Sequence, residues 1–205
     1  MLFENYVKTN QAAFLAKVKD IAAKLSVPAD WLMGLMWSES GLKHNGNPNK
    51  IGAVGLIQFT PATATWLGTS TSALRSMTNV QQLDYVYKFF SSKRGQFSQF
   101  SDFYLYNFVP IMLGKPDNTI IAYKGASAGA IARDNSIFDL NKDKQVTIGE
   151  FRKAVSDRFK KELKDYPAAY KELFKTGANF LGIALLGGLG YYLYKTFTKK
   201  KTKTL

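Results

Sequence analysis

The chain has 205 residues, of which 46% are hydrophobic and 21% charged, so it can bury a core and is not disordered along its length. A body of about 150 residues hides roughly 70% of its unfolded surface without covalent staples. There is no cysteine, which excludes a disulfide scaffold, thiolate zinc sites and a cysteine nucleophile. The net charge of +13 divides as +5 over residues 1–149, +3 over 150–175 and +5 over 176–205. Charge is densest in the C-terminal tail, behind an apolar run, which suits a membrane surface better than a duplex groove.

Residues 1–14 lack the basic start, apolar stretch and small-residue cleavage site of a secretory signal, so export by that route is not expected. Apolar residues three and four apart predict helices over 7–25, 31–37 and 80–90, and the fold class that follows is mainly α. Pro28 suits the first turn of the second helix, with Ser26 or Val27 at its cap. No internal repeat is present.

Glu39 is the most informative side chain. Leu32, Leu35, Met36 and Glu39 share one helical face, so a carboxylate continues an apolar stripe. Gly41 is a natural helix stop, which puts Glu39 in the last turn. The negative helix end and the apolar surroundings there both disfavour its ionised form, and its pKa is expected to be raised. A carboxylic acid held protonated near neutrality is what glycosidic cleavage needs, because the leaving oxygen takes a proton as C1 becomes oxocarbenium-like. A Glu at an ordinary surface turn is the alternative on spacing alone.

Trp37-Ser38-Glu39-Ser40-Gly41 is followed by Gly52-Ala53-Val54-Gly55-Leu56-Ile57-Gln58-Phe59-Thr60-Pro61. Over residues 28–68 this resembles the lytic transglycosylases of the goose-type lysozyme-like superfamily. Their Glu-Ser pair ends a helix and precedes Gly-x-x-Gly-Leu-x-Gln-x-x-Pro. The resemblance implies a lysozyme-like catalytic domain over residues 1–135 acting on peptidoglycan. Glu39 would be the single catalytic acid and base, with Ser40 orienting groups near the scissile bond and Gln58 binding glycan. Gly52 and Gly55 would allow close backbone approach, a use they share with glycines of any tight turn. The family's later Ala-Tyr-Asn-x-Gly stands here as Leu-Tyr-Asn-Phe-Val, so Tyr106 and Asn107 match a weakened motif, and Tyr106 reads equally as a core tyrosine. The segment around it looks like a phage-encoded subgroup.

A hydrolase usually sets a second carboxylate about 5–10 Å from the first, and residues 41–55 contain no acid. The family replaces it by intramolecular attack: Glu39 would protonate the N-acetylmuramic acid to N-acetylglucosamine bond and then take the muramoyl C6 hydroxyl proton, leaving a 1,6-anhydro end. Asp30, Asp84, Asp102 and Asp117 remain candidates for the second carboxylate of a muramidase. His44, the single histidine, has no carboxylate near it in sequence, which argues against a zinc hydrolase or a His-based triad. A non-catalytic glycan-binding linker to membrane or capsid proteins is the rival from another class. A nucleic-acid partner is not expected, since the basic residues of the body are scattered and no nucleic-acid motif is present.

Asp139, Asn141, Asp143, Gln145, Thr147 and Glu150 fall at positions 1, 3, 5, 7, 9 and 12 of a twelve-residue EF-hand-like calcium loop within the segment 136–150, with Val146 as the apolar eighth residue. Structural Ca2+ is the expected cofactor, against a metal-free acidic turn. Lys144 departs from the pattern, since glycine is expected there for a left-handed turn. Phe151, Val155, Phe159, Leu163, Tyr166, Tyr170 and Phe174 then make an amphipathic helix over 151–175, interrupted at Pro167. Residues 176–194 carry no charge and as a helix would span about 28 Å, close to the ~30 Å hydrocarbon core. The expectation is a single-pass C-terminal transmembrane helix over 176–197 with a basic tail at 198–205, set in a virion membrane or a bacterial inner membrane with the catalytic domain on the outer side. A buried core helix is the alternative. Ala178 with Gly182 and Ala184 with Gly188 would allow homo-oligomers through the span. With the phage-like motif, this suggests penetration of the cell wall by a particle, or a role in host lysis.

Overall fold

The computed structural model describes residues 1–174, which divide into two units, residues 1–96 and 97–174. The expected 1–135 domain therefore takes in the first unit and the beginning of the second. Both are helical, and among the described residues β-structure is confined to isolated bridges.

In the first unit, helix α1, Gln11–Leu25, turns Phe14, Val18, Ile21, Ala22 and Leu25 to the core along one stripe. It starts four residues later than its apolar pattern, because Asn10 has a left-handed backbone and Glu4–Tyr6 forms a separate 3₁₀ turn. Helix α2, Ala29–Ser40, buries every residue from Trp31 to Met36, so it is the central helix of this unit. Pro28 occupies the cap position itself, one place earlier than expected. At the other end Gly41 (φ 61°) and Leu42 (φ 63°) are left-handed. The Gly41 N–H donates to the Trp37 carbonyl at 2.8 Å and the Leu42 N–H to the Met36 carbonyl at 3.2 Å, a closure that ends the helix at Ser40.

Two short helices follow, α3 (Pro61–Trp66) capped by Thr60 and α4 (Thr71–Ser76) capped by Ser70. Helix α5, Asn79–Ser91, opens with a Thr78–Gln81 capping box and packs on α1, as α1 packs on α2.

The second unit holds α6 (Phe100–Phe108), α7 (Ala128–Asp134), α8 (Ile148–Glu162) and α9 (Pro167–Leu173). The stripe Phe151, Val155, Phe159 and Leu163 faces inward, with Phe159 edge-on to Phe100 at 5.0 Å and Phe151 stacked on Phe108 at 5.3 Å. Arg152 binds Asp102 on α6 at 2.6 Å and also Asp117. Pro167 divides the amphipathic segment into two helices, standing at the first position of α9, where a missing N–H costs nothing.

The expected single-pass membrane localisation is corrected. Among the described residues no helix is long and apolar enough to cross a membrane. The longest, α1 and α8 at 15 residues each, reach only about 22 Å and are amphipathic. The stretch 176–194, on which the lipid contact, the basic anchor and the oligomer all depended, lies outside the described residues.

Candidate active site

Glu39 stands in the last turn of α2, half-buried, with Leu32, Leu35 and Met36 fully buried beneath it on the same face. The position is the one its spacing predicts: a carboxyl at the rim of an apolar helix face, beside a helix C-terminus. Next to it, the Ser40 hydroxyl lies 3.0 Å from the Met36 carbonyl of its own helix and 3.0 Å from the Leu56 carbonyl of the loop that follows. One proton serves both acceptors, so Ser40 joins the end of α2 to residue 56.

That loop is a closed turn. Val54 and Phe59 exchange two backbone hydrogen bonds, 3.0 and 2.8 Å, and inside them the Gln58 N–H donates to the Gly55 carbonyl at 3.1 Å. Gly55 has φ 77° and Gln58 φ 55°, so a glutamine holds a left-handed backbone at an expected glycan-binding position. Such a conformation costs a non-glycine residue about 1–2 kcal/mol and persists only where the surroundings fix it. The Gln58 side chain helps to fix it, its Nε2 donating to the Gly55 carbonyl while its Oε1 accepts from Asn49 Nδ2, both at 3.1 Å.

Three residues that the sequence reading passed over hold this region. Asn49 Oδ1 accepts the N–H groups of Ile51 and Ala53, shaping the loop that enters the turn. Arg75 on α4 donates to the Gly46 carbonyl and to Asn47 Oδ1. Gln82 on α5, fully buried, accepts the Leu56 N–H and donates to the carbonyls of His44 and Leu74. The signal for Gln82 was available. It is a polar residue on a helical face shared with Asn79, Leu83, Val86 and Phe90, as Glu39 is on the face of Leu32, Leu35 and Met36.

Residues 1–96 contain five carboxyl side chains, and four of them are bound away from this turn. Glu4 pairs with the N-terminal ammonium, Asp20 with Lys24 and Asp84 with Lys17, and Asp30 accepts the Leu2 N–H at 2.8 Å. Asp30 also lies nine residues from Glu39 along α2, about 13 Å by helical rise, outside the spacing of a hydrolytic pair. Asp102 and Asp117 belong to the second unit and bind Arg152. Partial burial lowers the proton affinity of His44, so it favours the neutral form.

Tyr106 and Asn107 lie on α6, in the second unit, where Tyr106 is buried with its ring edge-on to Phe97 at 5.6 Å. In the 139–150 loop, Lys144 adopts φ 68°, the left-handed turn for which glycine was expected, and its N–H donates to Asp139 Oδ2 at 3.1 Å. Asp143 and Gln145 close matching bonds to Asn141 and Asp143. The Val146 carbonyl accepts the Ile121 N–H, and Ile120 bridges Thr147. Glu150 is held by Thr147 in a capping box and by the Asn141 N–H. Burial works against its charge, yet these bonds prevail and keep its carboxyl below the ordinary range. Asp139 Oδ1 is buried without a hydrogen-bond partner. Among the described residues no group of three or more His, Cys, Asp or Glu side chains is gathered closely enough to hold a metal ion.

Residues 17–87 match the transglycosylase SLT domain. The match runs from within α1 to within α5 and takes in Glu39, Ser40, Gly52, Gly55 and Gln58, as well as Gln82. The match covers about a third of the chain and supports a likeness of these residues to the lytic transglycosylase and lysozyme-like superfamily. Tyr106, Asn107 and the 139–150 loop fall outside the SLT match. No curated relative and no solved structure matches the chain.

Proposed function

We propose that the protein cleaves the β-1,4 bond between N-acetylmuramic acid and N-acetylglucosamine and leaves a 1,6-anhydromuramoyl end. The observation that carries this reading is the place of one carboxyl. Glu39 alone among the five acids of the first unit stands at the clasp between the end of α2 and the 54–59 turn. With no second carboxylate from the first unit beside it, the acid that protonates the leaving oxygen would become, once deprotonated, the base for an internal nucleophile, the muramoyl C6 hydroxyl. Ser40 and Gln58 would orient the glycan against Glu39, and Gly52 and Gly55 would let its backbone approach. Tyr106 and Asn107 enter this reading through the family motif alone.

The test is digestion of purified sacculi by the full chain, wild type beside Glu39→Gln, with released fragments weighed by mass spectrometry. Anhydro fragments, one water lighter than hydrolytic ones and absent with Glu39→Gln, are expected. Reducing-end fragments would assign a muramidase, and wall binding without release would leave a glycan-binding module. The suggested part in cell-wall penetration by a phage particle drew on the anchor, and the cleavage chemistry does not depend on it.

We further propose that the 139–150 loop binds calcium through Asp139, Asn141, Asp143, the Gln145 carbonyl, Thr147 and Glu150. The donors are all oxygens, as a hard cation requires, and the unpartnered Asp139 Oδ1 is the buried atom that such an ion would satisfy; Asp139, Asp143 and Glu150 are not gathered as a preformed cluster, so the ion would have to draw them together. The ion would supply charge neutralisation and a tie between α8 and the 117–121 segment that pairs with it, with no part in the bond cleavage.

A further inference from the structure

Leu56 is held at both of its backbone polar atoms, from opposite sides. Its carbonyl accepts from Ser40, the neighbour of Glu39, and its N–H donates to Gln82 Oε1 at 3.0 Å. The Gln82 carboxamide has no freedom to turn over. Its Oε1 faces an N–H, and its Nε2 faces the His44 carbonyl at 2.6 Å and the Leu74 carbonyl at 2.7 Å, so a flipped amide would set oxygen against two oxygens. Both amide protons are used, and the side chain is fully buried, where an unmet bond is costly. Gly55 completes the fit: a Cβ on it would come within 2.5 Å of Gln82 Oε1, so the turn can sit on the amide only because residue 55 has no side chain.

From this geometry we infer that Gln82 is a positioning residue for the cleavage reaction, setting the height of the 54–59 turn, and with it Gln58, against the end of α2 that carries Glu39. Three segments meet on one amide: the turn through Leu56, the 42–50 loop through His44, and the end of α4 through Leu74. Removing the amide frees the turn on the side away from Ser40, and the distance between Glu39 and the glycan held by the turn is no longer fixed. A displacement of about 1 Å at such a site is enough to cost on the order of a hundredfold in rate. The inference rests on the proposed cleavage activity.

A buried amide could also act only as mortar, and Asn79 gives the comparison. It lies on the same helix, is equally buried, and makes its bonds to Thr9 and Asn10, away from the turn. The experiment measures kcat for fragment release from sacculi by the full chain at a temperature where every variant is folded. Wild type, Gln82→Met, Asn79→Ala, Ser40→Ala and the Ser40→Ala/Gln82→Met double variant are compared. Gln82→Met is expected to lower kcat at least tenfold, and Asn79→Ala to lose comparable thermal stability with kcat within twofold of wild type. Because Ser40 and Gln82 act through the same residue without touching, the double variant should be little worse than the poorer single one. If Gln82→Met does not fold, Gln82→Asn keeps an amide in the space but is one methylene too short to span Leu56 and the two carbonyls, and the same loss is expected. An unchanged kcat in the Gln82 variant, an equal loss in Asn79→Ala, or losses that multiply in the double variant would overturn the inference alone. A wild type that releases nothing would overturn it together with the cleavage reading.

Discussion

Replacing Ser40 by alanine tests the clasp without touching the acid. The change removes the hydroxyl that lies 3.0 Å from the Leu56 carbonyl and leaves that carbonyl to find water. A net hydrogen bond contributes about 0.5–1.5 kcal/mol, and a carbonyl stranded without a partner costs about 1–3 kcal/mol. Leu56 is fully buried, so the stranded carbonyl sets the loss, while half-buried Ser40 leaves a side open to water that holds it near the lower part of the range, about 1 kcal/mol. Alanine is also the better helix former, which offsets a few tenths of that. The melting temperature should fall by roughly 2–4 °C. If the same ~1 kcal/mol is expressed at the transition state as lost positioning, kcat falls about fivefold. Loss of the proton donor in Glu39→Gln should lower it by about 10²–10⁴. Calorimetry and initial rates of fragment release at 25 °C, with products weighed, give both numbers. A Ser40→Ala protein as inactive as Glu39→Gln would show that the hydroxyl takes part in the chemistry, and one unchanged in both melting temperature and rate would show that the clasp bears no load. Either result refutes the reasoning.

Gly41→Ala meets no atom within 4 Å but keeps a left-handed backbone, so urea unfolding should show a loss of about 1–2 kcal/mol, and a much larger loss would point to a clash the geometry does not contain. Arg152→Met strands Asp102, whose side chain is 8% exposed but keeps its bonds from Ser98 and Gln99, so a loss of about 2–3 kcal/mol is expected; Asp102→Asn in the same chain should recover part of it. The depressed carboxyl of Glu150 contributes stability that is present above the ordinary carboxylate range and lost as pH falls through its lower folded value. In calcium-free buffer the wild-type melting temperature should therefore fall more steeply than that of Glu150→Gln between about pH 5 and pH 3. Calcium at about a hundred times its dissociation constant should stabilise the wild type by roughly 2.7 kcal/mol, with Asp139→Asn responding only at far higher concentration. No shift in wild-type melting at millimolar calcium would remove the metal from the loop.

Where the sequence was legible, the information was local. The stripe Leu32, Leu35, Met36 and Glu39, stopped by Gly41, located the end of α2 and the exposure of its last carboxyl, because helical period and a left-handed stop are set by neighbouring residues. The loop pattern at 139–150 likewise forecast a left-handed residue at position 6, and Lys144 adopts it in spite of its side chain. What escaped was long-range. Nothing near Gln82 in sequence says that its amide meets residues 44, 56 and 74, since those bonds span 38, 26 and 8 positions. Helix starts were misplaced by one to four residues at Pro28 and Asn10, where the cap is decided by backbone conformation that apolar spacing does not record. The division after Gln96 also escaped: the polar stretch 91–96 reads as an ordinary loop between helices, and only packing assigns Phe97 and Phe100 to the second unit.

The arrangement around Leu56 bears on why one carboxyl could suffice. On the proposed mechanism Glu39 gives a proton to one oxygen of the substrate and takes one from another, with no second acid to share the work. An enzyme that activates water can tolerate some play, because water diffuses to its place, whereas an internal hydroxyl reaches C1 only if the sugar is held still. The turn that would hold it is fixed on one side by Ser40, from the same helix end as the acid, and on the other by an amide that cannot rotate. The strain at Gln58 fits the same demand, since a left-handed glutamine stays in place only while its neighbours are rigid. Loosening the turn should therefore do more than slow the reaction. It should admit water in place of the C6 hydroxyl, so Gln82→Met is expected to raise the share of reducing-end fragments among its residual products. A variant that is slower but keeps the wild-type ratio of anhydro to reducing ends would separate rate from product choice and refute this link.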